Sequence, residues 1–118
     1  MPLLQINLTV PCVSQDVLDQ VHDESADILA EQIGKSAEYA MVLVRTGESI
    51  SFAKDNVSPC AYMEVKNVGE LSPNLTERLA SKLSTLIYEK LGVSPGRIYI
   101  EFQESDRHLW GWNGKTFA

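Results

Sequence analysis

The sequence predicts an α+β fold: two βαβ units forming a split βαβ, ferredoxin-like, four-stranded mixed sheet with both helices on one face. Three observations carry this. Residues 2–45 and 60–103 repeat one order of patterning, in which apolar alternation gives way to a helical stripe and then to a β-rich run. Each stripe opens on a serine and closes on a glycine, Ser14 to Gly34 and Ser72 to Gly92. The length, 118 residues, suits one domain spanning 1–118, and such a chain buries enough surface to fold without staples.

The elements follow in order. Leu4 to Val10 alternates apolar and polar residues, as a half-buried strand does, and Pro11 ends it. Ser14 caps the first helix, with Asp16 in the turn where negative charge suits the dipole. Leu18, Val21, Ile28, Leu29 and Ile33 share one face, and Gly34 closes the helix. Tyr39 to Arg45 is a β-branched and apolar run, predicted as a buried strand. Thr46 to Pro59 is a turn-rich connection with room for a short strand at Ile50–Phe52. Ala61 to Lys66 is the next strand. Ser72 caps the second helix, and Pro73 takes its first position. Leu75, Leu79, Leu83, Leu86 and Leu91 form its apolar face before Gly92. Arg97 to Gln103 is the last long strand. The aromatic tail, with Trp110, Trp112 and Phe117, is expected to dock rather than fray. With both helices on one face, the other sheet face needs a cover, and self-association in a ring would supply it while hiding sheet edges.

Composition excludes several classes. Ten basic residues against sixteen acidic give a net charge of −6, a poor match for phosphate-driven nucleic-acid binding. No stretch reaches a membrane span, and the first ten residues lack the basic start and apolar run of a signal peptide, so a cytoplasmic location is expected. Cys12 and Cys60 form no C-x-x-C pair and are expected to be reduced and structural. His22 and His108 lack partners at ligand spacing, so no metal site and no cofactor are expected. Both histidines are read as surface residues, His108 within the charged run Asp106-Arg107-His108.

Pro2 is the residue with most chemical potential. If Met1 is removed, Pro2 offers a terminal secondary amine at the end of a strand. Burial and a neighbouring cation depress the pKa of such an amine, and a base works best with a pKa near the operating pH. Proline at the first strand position is also structurally ordinary. Lys35, just past a helix end, reads alone as a lysine complementing the dipole. Tyr99, Trp112 and Phe117 read alone as packing residues. Glu101 lies two positions from Tyr99 and so shares its sheet face.

Taken together, Pro2 opening a strand, Gly34-Lys35, Tyr39, Cys60-Ala61, Ser94-Pro95, Arg97-Ile98-Tyr99-Ile100, Gly111-Trp112-Asn113 and the final Thr116-Phe117-Ala118 resemble the macrophage migration inhibitory factor family of the tautomerase superfamily. The resemblance covers the whole chain. It implies a homotrimer with active sites between subunits, and a keto–enol tautomerase acting on phenylpyruvate-like or dopachrome-like aromatic compounds. By the same resemblance Pro2 is the base, and Lys35 binds anionic or carbonyl oxygen and depresses the amine. Val68 holds substrate through its backbone amide. Tyr99 comes from the neighbouring subunit, and Tyr39, Trp112 and Phe117 wall the substrate ring. It also implies release without a signal peptide.

Three departures qualify what the resemblance implies. Glu101 replaces an asparagine that reaches substrate from the next subunit, which implies weak activity or a different preferred substrate. Met63 replaces the second cysteine of a C-x-x-C, removing the basis for thiol redox chemistry. Cys12 and Gly47 stand where the cytokine carries an arginine and an aspartate linked to receptor contact. The competing expectation is a non-enzymatic, cytokine-like or host-effector binding protein with a vestigial pocket. A hydratase or dehalogenase variant, with Glu101 activating water, calls for arginines near Pro2, and the sequence places none there clearly.

Overall fold

The computed structural model describes residues 1–118. Strand β1, Pro2–Leu8, lies at the centre of a four-stranded sheet ordered β2-β1-β3-β4. Its neighbours are β2, Met41–Arg45, running parallel, and β3, Ala61–Val68, running antiparallel. Strand β4, Ile98–Ser105, pairs parallel to β3 on the far edge. The mixed sheet with two parallel crossovers is the predicted split βαβ arrangement. No helix is long and apolar enough to cross a membrane.

Local signals set both helices. In α1, Gln15–Ile33, the Ser14 side chain accepts from the Val17 N–H, and Gly34 ends the helix at φ 78°. In α2, Pro73–Leu91, Ser72 accepts from the Leu75 N–H and Gly92 closes at φ 71°. A left-handed residue there satisfies the last carbonyls, and glycine adopts it without a Cβ penalty. The helices pack over one sheet face. Leu4, Ile6, Leu8, Met63 and Val65 from the sheet meet Val21, Leu29, Leu79, Leu83 and Ile87 in a single buried cluster. Ser25 interrupts the α1 stripe, buried with no partner for its Oγ.

The structure corrects the sequence reading at several points. Strand β1 opens at Pro2 as expected but ends at Leu8 rather than Val10, because Leu8 faces Ala61, the first residue of β3. Tyr39 is not in a strand: Ala37–Tyr39 form a 3-10 turn capped by the Ser36 hydroxyl. Strand β2 is an edge strand and only half-buried, rather than buried. Cys12 is exposed, so of the two free cysteines only Cys60 sits in the interior.

The short strand expected at Ile50–Phe52 is replaced by an arginine knot. Phe52 makes only an isolated bridge to Asp55, across Ala53 and Lys54 at φ 54° and 63°. Arg97, in the turn before β4, donates to the carbonyls of Phe52, Asp55, Ser58 and Pro59 at 3.0–3.3 Å. Its guanidinium also lies over the Phe52 ring and 3.6 Å from Asp55 Oδ2. The Ser58 side chain first, then the Val57 and Ser58 N–H groups that donate to the Asp55 carboxylate, hold its pKa down to about 2. These contacts seat Phe52 edge-on against Tyr99, with ring centroids 5.2 Å apart. Arg97→Ala is expected to cost about 2–3 kcal/mol, because hydrogen bonds from a charged donor are the strong ones. Arg97→Lys is expected to recover little, lacking the fork. Urea unfolding at one protein concentration checks both.

Candidate active site

The chain start, the end of α1, the end of β3 and the tail converge at one end of the sheet. Pro2 is buried opposite Asn67, itself 1% exposed. Gly34 turns the chain out of α1, so that Lys35 reaches back across the sheet end. Its Nζ donates to the Val68 carbonyl at 2.7 Å and to Asn67 Oδ1 at 3.2 Å. The Val68 carbonyl is thereby occupied, while the sheet continues through Gly69, whose N–H donates to the Ser105 carbonyl.

The tail supplies the wall. Strands β5, Gly111–Trp112, and β6, Lys115–Thr116, form a hairpin whose tip is Asn113-Gly114, at φ 53° and 78°. Positive φ at both tip residues is the two-residue turn that Asn-Gly favours. Such a short hairpin is marginal alone. Here it is tied down by the Phe117 N–H donating to the Arg107 and Trp110 carbonyls, and by Arg107 Nε donating to the Phe117 carbonyl at 2.8 Å. Trp112 meets Tyr39 edge-on at 5.9 Å and stacks with Phe117 at 6.4 Å. The three rings therefore form one continuous surface.

Two hollows flank Met1. One is lined by Pro2, Glu38, Tyr39, Met41, Trp110 and Trp112, and is largely apolar. The other is lined by Lys35, Val68, Ser105, Asp106, Arg107 and Phe117, and is polar. The Met1 α-amine sits between them. Its pKa is lowered from the ordinary 8.0 to about 5, first by burial and then by the Lys35 ammonium beside it. An amine held there is uncharged at neutral pH. The arrangement offers a base, a cation and an aromatic surface within one cleft, which suits proton transfer next to a carbonyl.

The macrophage migration inhibitory factor (MIF) family model matches residues 1–118. The chain belongs to the macrophage migration inhibitory factor family. It is 31% identical to the mouse macrophage migration inhibitory factor over 118 residues, covering 100% of both chains. A homologue from the filarial worm Brugia malayi is 26% identical over the same span. Among solved structures, the macrophage migration inhibitory factor homologue of Prochlorococcus marinus superposes with a TM-score of 0.92 at 34% identity, covering 98% of this chain and 99% of the other. The corresponding protein of Entamoeba histolytica gives 0.90 at 28% identity, with 98% of each chain covered. Membership places the chain in the tautomerase superfamily.

Of the residues singled out in this macrophage migration inhibitory factor family chain, Pro2, Lys35, Val68, Tyr39, Trp112 and Phe117 meet at the cleft. Tyr99 and Glu101 do not, within one protomer. Tyr99 pairs opposite Tyr62, which pairs opposite Asn7, so it lies two strands across and five residues along from Pro2. That offset is about 17 Å along the strands. Both side chains also project from the sheet face opposite the helices. There Tyr62 Oη lies 3.0 Å from Glu64 Oε1 and 3.4 Å from Glu101 Oε2, so its single proton is shared between two carboxylates. Burial and these carboxylates push the Tyr62 phenol up to about 12.

Two residues of the cleft escape the sequence reading. Asn67, the buried partner of Lys35, carries no motif. Arg107 sits in a charged run that reads as solvated surface, and it lines the hollow beside Met1 together with Lys35.

Proposed function

We propose that this protein is a keto–enol tautomerase acting on phenylpyruvate-like or dopachrome-like compounds, with the Pro2 nitrogen as base once Met1 is removed. The observation that carries the proposal is the amine at the chain start. Burial and Lys35 lower the pKa of the Met1 amine to about 5, and the same surroundings, a cleft walled by Tyr39, Trp112 and Phe117, would act on the Pro2 nitrogen that takes its place.

The Pro2 nitrogen takes a proton from the carbon beside the substrate carbonyl, and the electrons move into the C–C–O unit. Lys35 stabilises the resulting enolate oxygen, where charge develops. The protonated Pro2 nitrogen gives that proton to the oxygen, directly or through water, and the reverse path returns it to carbon. Only protons move, so the chemistry calls for no cofactor. The substrate ring lies against the Tyr39–Trp112 surface.

We further propose a homotrimer in which Tyr99 and Glu101 of one protomer complete the cleft of the next. Support comes from their separation from Pro2 within the protomer. It also comes from the exposed Met41 and Tyr99, which leave the sheet edges without apolar cover. Glu101, negative and shared with Tyr62, weakens without excluding the binding of an anionic substrate and keeps turnover modest. The test is the conversion of the phenylpyruvate enol to its keto form, followed by loss of enol absorbance, with sedimentation on the same sample. The expected result is acceleration above the buffer rate by a trimer. A trimer that binds the compound without converting it would favour the non-enzymatic binding reading.

A further inference from the structure

The polar hollow holds two cations, Lys35 and Arg107. Lys35 has three N–H bonds, and two of them are committed, to the Val68 carbonyl and to Asn67. One remains for substrate. An α-keto acid presents three oxygens side by side, two of them sharing a full negative charge. A single lysine proton serves the carbonyl or enolate oxygen and leaves the carboxylate without a partner.

Arg107 faces the same space from the tail side. Its Nε donates to the Phe117 carbonyl, which fixes the plane of the guanidinium against the tail. The two terminal nitrogens make no hydrogen bond within the protein. The chain's ion pairs are Lys66–Glu64, Lys90–Glu24 and Arg97–Asp55, so Arg107 is paired with none of the nearby carboxylates, including Asp106 in the same hollow. A planar guanidinium with a free outer edge matches a carboxylate through two parallel N–H···O bonds.

We propose that Arg107 is the carboxylate-binding residue of this cleft. It holds the acid group of an α-keto acid in a fork and leaves Lys35 to the adjacent carbonyl oxygen. The inference deepens the tautomerase reading by naming the residue that recognises the substrate's acid group, and it rests on that reading. The proton transfers are unchanged.

The test compares phenylpyruvate with its uncharged methyl ester, in wild type, Arg107→Ala and Arg107→Lys. Dissociation constants come from calorimetry and rates from the enol assay. Wild type is expected to bind the acid more tightly than the ester. Arg107→Ala is expected to weaken acid binding about tenfold or more, the loss of a charged hydrogen-bonded contact, while the ester changes less than about twofold. Arg107→Lys, which keeps charge without the fork, recovers part of the loss. Equal losses for acid and ester would assign Arg107 to holding Phe117 in place and overturn the proposal, as would no loss for either. A protein that binds the acid through Arg107 yet accelerates nothing retires the catalytic reading alone. An active enzyme whose acid preference survives Arg107→Ala retires this inference alone.

Discussion

Replacing Pro2 by glycine is expected to lower kcat/KM for an aryl keto acid about a hundredfold or more, the typical contribution of a positioned general base. Glycine retains a terminal amine, so the loss isolates what proline adds. The ring fixes φ and leaves the nitrogen no rotation of its own, whereas glycine is the most mobile residue the chain can carry. Pro2 is also buried at the end of the β1 ladder, so its lone pair is aimed by the sheet itself. A chain that keeps Met1 is expected to behave like the glycine variant, because its Pro2 nitrogen is an amide. Steady-state rates on material checked by intact mass decide both. Unchanged rates in either form would remove Pro2 from the chemistry.

Lys35→Ala is expected to have the second largest effect, about a ten- to hundredfold loss in kcat/KM, since it removes the charge that meets the developing enolate. Two further signatures separate this from a general loss of structure. The first is pH. Lys35 is the second cause, after burial, of the depressed Met1 amine, and the same cation would lie beside the Pro2 nitrogen of the trimmed chain, so its removal is expected to raise the pKa of that base. The acid limb of the rate profile then moves to higher pH. The second is stability. In the chain carrying Met1, the unfolded amine binds a proton between about pH 5 and 8.0 that the folded one does not. Stability is therefore full above 8.0 and falls as pH drops through that window. In Lys35→Ala the window narrows from its acid side. The variant also leaves the buried Asn67 Oδ1 without its partner, at a cost of about 1–2 kcal/mol.

The features legible in the sequence are those that local chemistry decides. Ser14 and Gly34, Ser72, Pro73 and Gly92 set both helices, because caps act within one turn. Period-two alternation alone puts Tyr99 and Glu101 on one face of β4. Long-range contacts account for the differences. Ile50–Phe52 has the composition of a strand, but Arg97 captures the carbonyls on that segment, and nothing near residue 50 announces it. Tyr39 resembles strand because it adjoins one, while Ser36 draws it into a turn. The Asn113-Gly114 pair is a hairpin signal in its own right, masked by the aromatic residues that make the segment read as a docked tail. Arg107 is hidden for a different reason. Its neighbours Asp106 and His108 are charged or polar, and only the pairing of Val68 with Ser105 brings the chain after β4 beside Lys35. The cleft is thus visible as a set of residues from family likeness, whereas its polarity is not.

The same distinction holds for the quaternary structure. The unpartnered sheet face follows from having both helices on one side. That face carries Tyr62, Glu64, Lys66 and Glu101 together with Leu3, Leu43, Met41 and Tyr99, so its polarity is mixed, and its large exposed apolar groups, Met41 and Tyr99, lie on the edge strands. The trimer proposed above, if joined at edges rather than faces, accommodates both facts.

The central claim is that a terminal proline nitrogen stays uncharged at neutral pH in this cleft. Its direct test is a pH titration of protein labelled with 15N-proline, following the Pro2 nitrogen by NMR. The account predicts a secondary-amine signal that titrates with a midpoint below neutrality. A nitrogen that remains protonated through pH 8, or that shows an amide shift at every pH, would contradict it.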